Sequence, residues 1–152
     1  MKKVITTAAA ICVAGLSVLA TAPPASADDT RATTPTSVTC GTYGLQSGLS
    51  TKVCAEVTGD NVQLFGQVGL AGPPSPGGPY PRPLPVTLRL TGNVSGVSLG
   101  AVSRDDVFDF ATIKVYGVGG AITCGSTVHG SFEVESYQWP ARPVTLDLPV
   151  PC

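Results

Sequence analysis

Charge is scarce in this chain: Asp, Glu, Lys and Arg together make only 12% of 152 residues. No basic stripe exists to displace counterions from a phosphate backbone, so the sequence predicts no nucleic-acid partner. Histidine is scarcer still. His129 is the only one, and acid–base or triad chemistry needs a histidine held beside a nucleophile and an orienting carboxylate. On a strand it points outward beside Glu133, with Ser126 and Ser131 merely near in sequence, and no Gly-x-Ser-x-Gly elbow occurs. The cysteines are too scattered for a Cys-x-x-Cys zinc knuckle. Asp105, Asp106 and Asp109 cluster, yet Arg104 adjoins them and the spacing of a calcium loop is missing. Glu133 and Glu135 sit on one strand face, not on facing walls of a cleft. The sequence thus predicts no enzyme, no metal and no cofactor.

Long apolar runs are missing too, beyond the first twenty residues. Lys2 and Lys3 precede an apolar run from Ala8 to Ala20. Pro23 and Pro24 then break any helix, and Ala25-Ser26-Ala27 carries small residues where a signal peptidase reads. The sequence therefore predicts a signal peptide over 1–27, cut before Asp28, and export to the extracellular side. A lipid anchor at Cys12 fits poorly, because bulky Ile11 precedes that cysteine. Nothing after residue 27 is long and apolar enough for a membrane helix, so no membrane partner is expected. Without Lys2 and Lys3, seven Lys and Arg face ten Asp and Glu, a net charge of −3.

Four cysteines then remain: Cys40, Cys54, Cys124 and Cys152. An even number in an exported chain reads as disulfides, with three possible connectivities. Near-neighbour pairing favours Cys40–Cys54 with Cys124–Cys152, which would add about 3 and about 3.5 kcal/mol in the chain-entropy model.

The hydrophobic period is two. Asp28 to Thr36 is polar and reads as a flexible arm over 28–36, with one β domain over 37–152. Lys52 to Leu70 reads as a hairpin about Thr58-Gly59-Asp60-Asn61. Alternation continues through Val86–Thr91, a weaker strand at Val94–Val102, Ile113–Tyr116, Val128–Glu135 and Val144–Val150. Ser103 to Ala111 is the one stretch with a possible helical turn. Seven to eight short strands with regular turns predict an all-β, immunoglobulin-like antiparallel β-sandwich with two disulfides; a closed barrel is the alternative.

Two segments stand out as contact surfaces. Ala71 to Pro85 holds seven prolines, and its X-Pro alternation keeps the chain extended. It is either a stiff finger presenting Tyr80, Arg82 and Leu84 or simply a rigid connector. An inhibitory loop cleaved like a substrate fits badly there, since proline follows Tyr80, Arg82 and Leu84. The other segment, Tyr137-Gln138-Trp139-Pro140-Ala141-Arg142, places two aromatics and an arginine in one loop, the chemistry of a protein hot spot. The plain alternative folds Trp139 over the end of the sandwich. Carbohydrate binding is disfavoured without being excluded, because aromatics are only 6% of the chain and such sites usually gather several.

Cys124-Gly125-Ser126-Thr127-Val128, Phe132, Trp139-Pro140, Pro143-Val144 and the terminal Pro-x-Cys resemble the small linking subunit of Streptomyces umbrella toxin particles. Composition also resembles small secreted actinobacterial proteins. The resemblance covers about the last thirty residues and the general layout, and transfers no functional residue. It implies a small β-sandwich joining a lectin-like subunit to a long toxin-bearing one, with an N-terminal arm docked in a partner. The expectation is a non-catalytic adaptor that binds other secreted proteins through Asp28, Asp29, Arg31, Tyr80, Arg82, Leu84, Tyr137, Trp139 and Arg142. A secreted inhibitor of an extracellular enzyme is the alternative.

Overall fold

The computed structural model describes residues 34–73, 82–137 and 139–152. Among them lie nine strands and no helix: β1 (Thr36–Cys40), β2 (Gly44–Gln46), β3 (Leu49–Thr58), β4 (Asn61–Leu70), β5 (Leu84–Val94), β6 (Val97–Phe108), β7 (Ile113–Ala121), β8 (Thr127–Glu135) and β9 (Val144–Pro149). They form two antiparallel sheets. One runs β1-β3-β4-β7, with β2 also on β3; the other runs β6-β5-β8-β9.

This is an immunoglobulin-like sandwich. The chain makes β3 and β4 in one sheet, crosses to make β5 and β6, returns for β7 beside β4, and crosses again for β8 and β9. Strands β3 to β9 thus follow the A-B-C-C′-E-F-G order, and β1 and β2 are additions along the β3 edge. The alternation explains the layering. Val53, Ala55, Val62, Leu64 and Val68 from one sheet meet Leu88, Leu90, Val128, Phe132 and Val134 from the other, all buried. Phe132 packs directly on β4: a Cβ at Gly66 would strike its ring, so the bare glycine backbone is what makes room for the aromatic.

Both disulfides are the local pairs, Cys40–Cys54 and Cys124–Cys152. Cys40 and Cys54 are direct cross-strand partners on β1 and β3. Cys124 ties the β7–β8 connection to the tail beyond β9, where the Val150 N–H donates to the Ser126 carbonyl at 2.9 Å.

Three expectations change in detail. Thr36 begins β1 and shares a hydroxyl hydrogen bond of 2.8 Å with Thr58, so the domain starts earlier than an arm over 28–36 implies. β1 is exposed throughout, with no apolar alternation to betray it; edge pairing and the disulfide hold it instead. Ser103 to Phe108 is not a helical turn, because it continues β6 and pairs residue by residue with Leu84–Arg89 of β5. The weak strand over Val94–Val102 is really a hairpin, turning at Ser95–Gly96 between β5 and β6.

Candidate binding surface at the loop end

Register puts four connections at one end of the sandwich. Leu49 pairs with Leu70, Val68 with Ile113, Leu84 with Phe108 and Thr87 with Glu135. The β2–β3 turn, the proline-rich connection, the β6–β7 connection and the β8–β9 loop all emerge there.

The support of this end is Gln46. β9 begins at Val144 opposite Phe132, so β8 beyond that point has no β9 residue beside it. Gln46, buried, fills the gap with its side chain. Its Nε2 donates to the Phe132 carbonyl at 3.1 Å and its Oε1 accepts from the Val134 N–H at 3.0 Å. The same Nε2 donates to Thr51 Oγ1 at 2.9 Å. An amide side chain thereby does the work of a strand residue and staples β2 to the opposite sheet.

Gln46 fixes its neighbour Leu45 pointing out of the β2–β3 ribbon, 68% exposed. Across from it the β8–β9 loop is closed by reciprocal backbone bonds, Ser136 N–H to the Trp139 carbonyl and Trp139 N–H to the Ser136 carbonyl, 3.3 and 3.1 Å. That bridge leaves Tyr137 fully exposed at its tip and Trp139 60% exposed at its base. Trp139, Pro140 and Arg142 with Leu45 to Gly48 line one groove of about 420 Å³. Tyr137 and Leu84 line a second, of about 710 Å³, whose walls carry Asp105 and Glu135.

Trp139 and Arg142 therefore share one groove, and Leu84 and Tyr137 share the other. Arg82 is exposed just ahead of β5. Asp28, Asp29, Arg31 and Tyr80 lie outside the described residues. The sequence reading missed Leu45 and Gln46. Gly44-Leu45-Gln46 is too short to show a period, and an isolated Leu among polar residues was the only signal.

The other constellations are occupied elsewhere. His129 Nδ1 lies 2.6 Å from Asp147 Oδ1, an exposed cross-strand pair on the outer face of the four-stranded sheet. Ser126 is buried away from it, its hydroxyl donating to the Thr123 carbonyl at 2.6 Å. Asp105 accepts from Thr87 Oγ1 at 2.7 Å, and Asp106 pairs with Arg104 at 2.7 Å. Among the described residues no group of three or more His, Cys, Asp or Glu is placed to hold a metal ion, and no helix could cross a membrane.

No family model, curated protein or solved structure matches the chain.

Proposed function

We propose that this is an exported, non-catalytic adaptor that binds another secreted protein through the loop end of its sandwich. The observation that carries the reading is the Trp139–Arg142–Leu45 groove, whose β2 wall Gln46 ties to β8. Trp and Arg are the residues most enriched where binding energy concentrates, and a pre-ordered groove loses little entropy on docking. The two disulfides, and the basic tip, apolar run and Ala25-Ser26-Ala27 of the first 27 residues, support export. The finer reading is the linking subunit of a toxin particle of the umbrella type, with partners at the loop end and on the arm.

Affinity purification from the native culture tests this, using the wild-type chain beside Trp139→Ala and Arg142→Ala. Recovery of a stoichiometric, non-enzymatic partner that both variants lose supports the adaptor. A captured hydrolase whose activity falls on binding replaces it with the inhibitor reading. Equal recovery by the variants removes the loop end as the binding surface.

A further inference from the structure

The outer face of the five-stranded sheet carries a second constellation that the loop end does not use. Lys52 and Lys114 are the only lysines after Lys3, and 62 positions separate them in sequence. The register sets them in one row, Lys52 opposite Gln67 on β4 and Gln67 opposite Lys114 on β7, about 9.5 Å apart across two strand spacings. Neither belongs to an ion pair among the described residues. Both rest on aromatic rings instead. Lys52 Nζ donates to the Tyr43 hydroxyl at 2.9 Å and lies 4.8 Å from that ring's centre, while Lys114 Nζ sits 5.3 Å over Phe65.

Phe65 occupies an unusual place, since it points to the solvent side of the sheet yet is only 5% exposed. Tyr116 stacks on it at 5.2 Å and 30° between ring planes. A bulge produces that stack. Leu64 pairs with Val118 and Gly66 with Val115, so two β7 residues, Tyr116 and Gly117, oppose Phe65 alone. Gly117 takes the positive φ of 120° that the bulge demands. Tyr116 is left with its inner side on Phe65 and 45% of its surface open to solvent. Beyond it runs a groove of about 420 Å³, bordered by Glu56, Gln63, Gly117 and Gly119, where β7 offers no large side chains.

From these residues we propose that this face binds an acidic oligosaccharide. The strip from the Glu56 row to the Lys52 row spans four residue-to-residue steps along β3, about 13 Å, the length of a short oligosaccharide. The C–H side of a sugar ring carries partial positive charge and stacks on the electron-rich face of Tyr116. Hydroxyls meet Gln63 and Glu56 in the groove. A uronate carboxylate meets the ammonium groups of Lys52 and Lys114, with Gln67 between them. An acidic peptide strand fits less well. It would need free backbone groups to pair with, and on this side of the sheet only the β7 edge offers them, two strands away from Lys52, so a paired strand would not meet both lysines. This inference is independent of the loop-end reading.

The test is an amide NMR titration of the protein carrying both disulfides, with tetragalacturonate, uncharged galactotetraose and polyglutamate as probes. Tetragalacturonate should shift Gln63, Phe65, Gln67, Lys114 and Tyr116, galactotetraose the same residues more weakly, and polyglutamate none of them. Tyr116→Ala should weaken tetragalacturonate binding by roughly tenfold, the scale of one lost stacking contact. Should that variant fail to fold, Lys52→Gln with Lys114→Gln serves instead, and should abolish the preference for the acidic over the neutral sugar. Trp139→Ala should bind the sugar unchanged. Absent shifts, shifts confined to other residues, equal shifts from polyglutamate, or binding indifferent to both sets of variants would overturn the proposal.

Discussion

Gln46 shows how much one buried side chain can decide. It donates to the Phe132 carbonyl, where β9 begins at Val144, and accepts from the Val134 N–H, which has no β9 residue opposite it. Replacing it with Ala leaves the buried Val134 N–H without that partner, at about 1–3 kcal/mol for the unsatisfied group. A denaturant melt of Gln46→Ala should show that loss, and Trp139 fluorescence should report a loosened groove. Gly66 makes the complementary case. Gly66→Ala forces a methyl into the Phe132 ring, and the overpacking should cost about 1–3 kcal/mol on the same melt. His129 is the contrast, because its partner Asp147 is exposed and pairs of that kind contribute little. His129→Ala should move stability by no more than about 0.5 kcal/mol, as at other exposed sites.

At the scale of elements, the two disulfides protect different things. Cys40–Cys54 holds an edge strand with no buried residue except through the bond itself, whereas Cys124–Cys152 ties the β7–β8 connection to the tail beyond β9. In a Cys40→Ala, Cys54→Ala variant, hydrogen exchange should speed in β1 while β3 and β4 stay protected. Equal exchange in β1 would mean that backbone pairing alone anchors it. The same physics governs what the sequence revealed. β4, β5, β8 and β9 bury one face each, so period-two alternation marked them clearly. β1 and β2 are short and bury almost nothing, and their signal lay in pairing, which composition does not record. β6 is an edge strand with mostly exposed residues, so its Asp105-Asp106 segment read as a turn. The site followed the same rule. Trp139 and Arg142 were legible as residue types, while Leu45, Gln46 and the Lys52–Lys114 row exist only through long-range register.

For the molecule as a whole, the two ends of the sandwich carry different loads. The grooves of the loop end gather Trp139, Tyr137 and Leu84, whereas β1 begins at the other end, where Thr36 meets Thr58 beside the Cys124–Cys152 bridge. On the proposed adaptor reading, these two ends would offer two separate contact sites. That layout makes residues 28–33 separable from folding. The core cluster among the described residues begins at Leu49, and residues 28–33, Asp-Asp-Thr-Arg-Ala-Thr, include no large apolar side chain. Deletion of 28–33 should therefore shift the thermal midpoint little, provided Thr36 and its bond to Thr58 are kept. If those residues dock in a partner, their ordering cost and their contacts both belong to the complex, so their removal weakens binding alone. A melt and a pull-down on the same truncated protein separate the two effects. Partner recovery that falls at constant stability places a second contact on the arm, as the umbrella resemblance implies. Unchanged recovery confines binding to the loop end, where Trp139→Ala must then account for all of it.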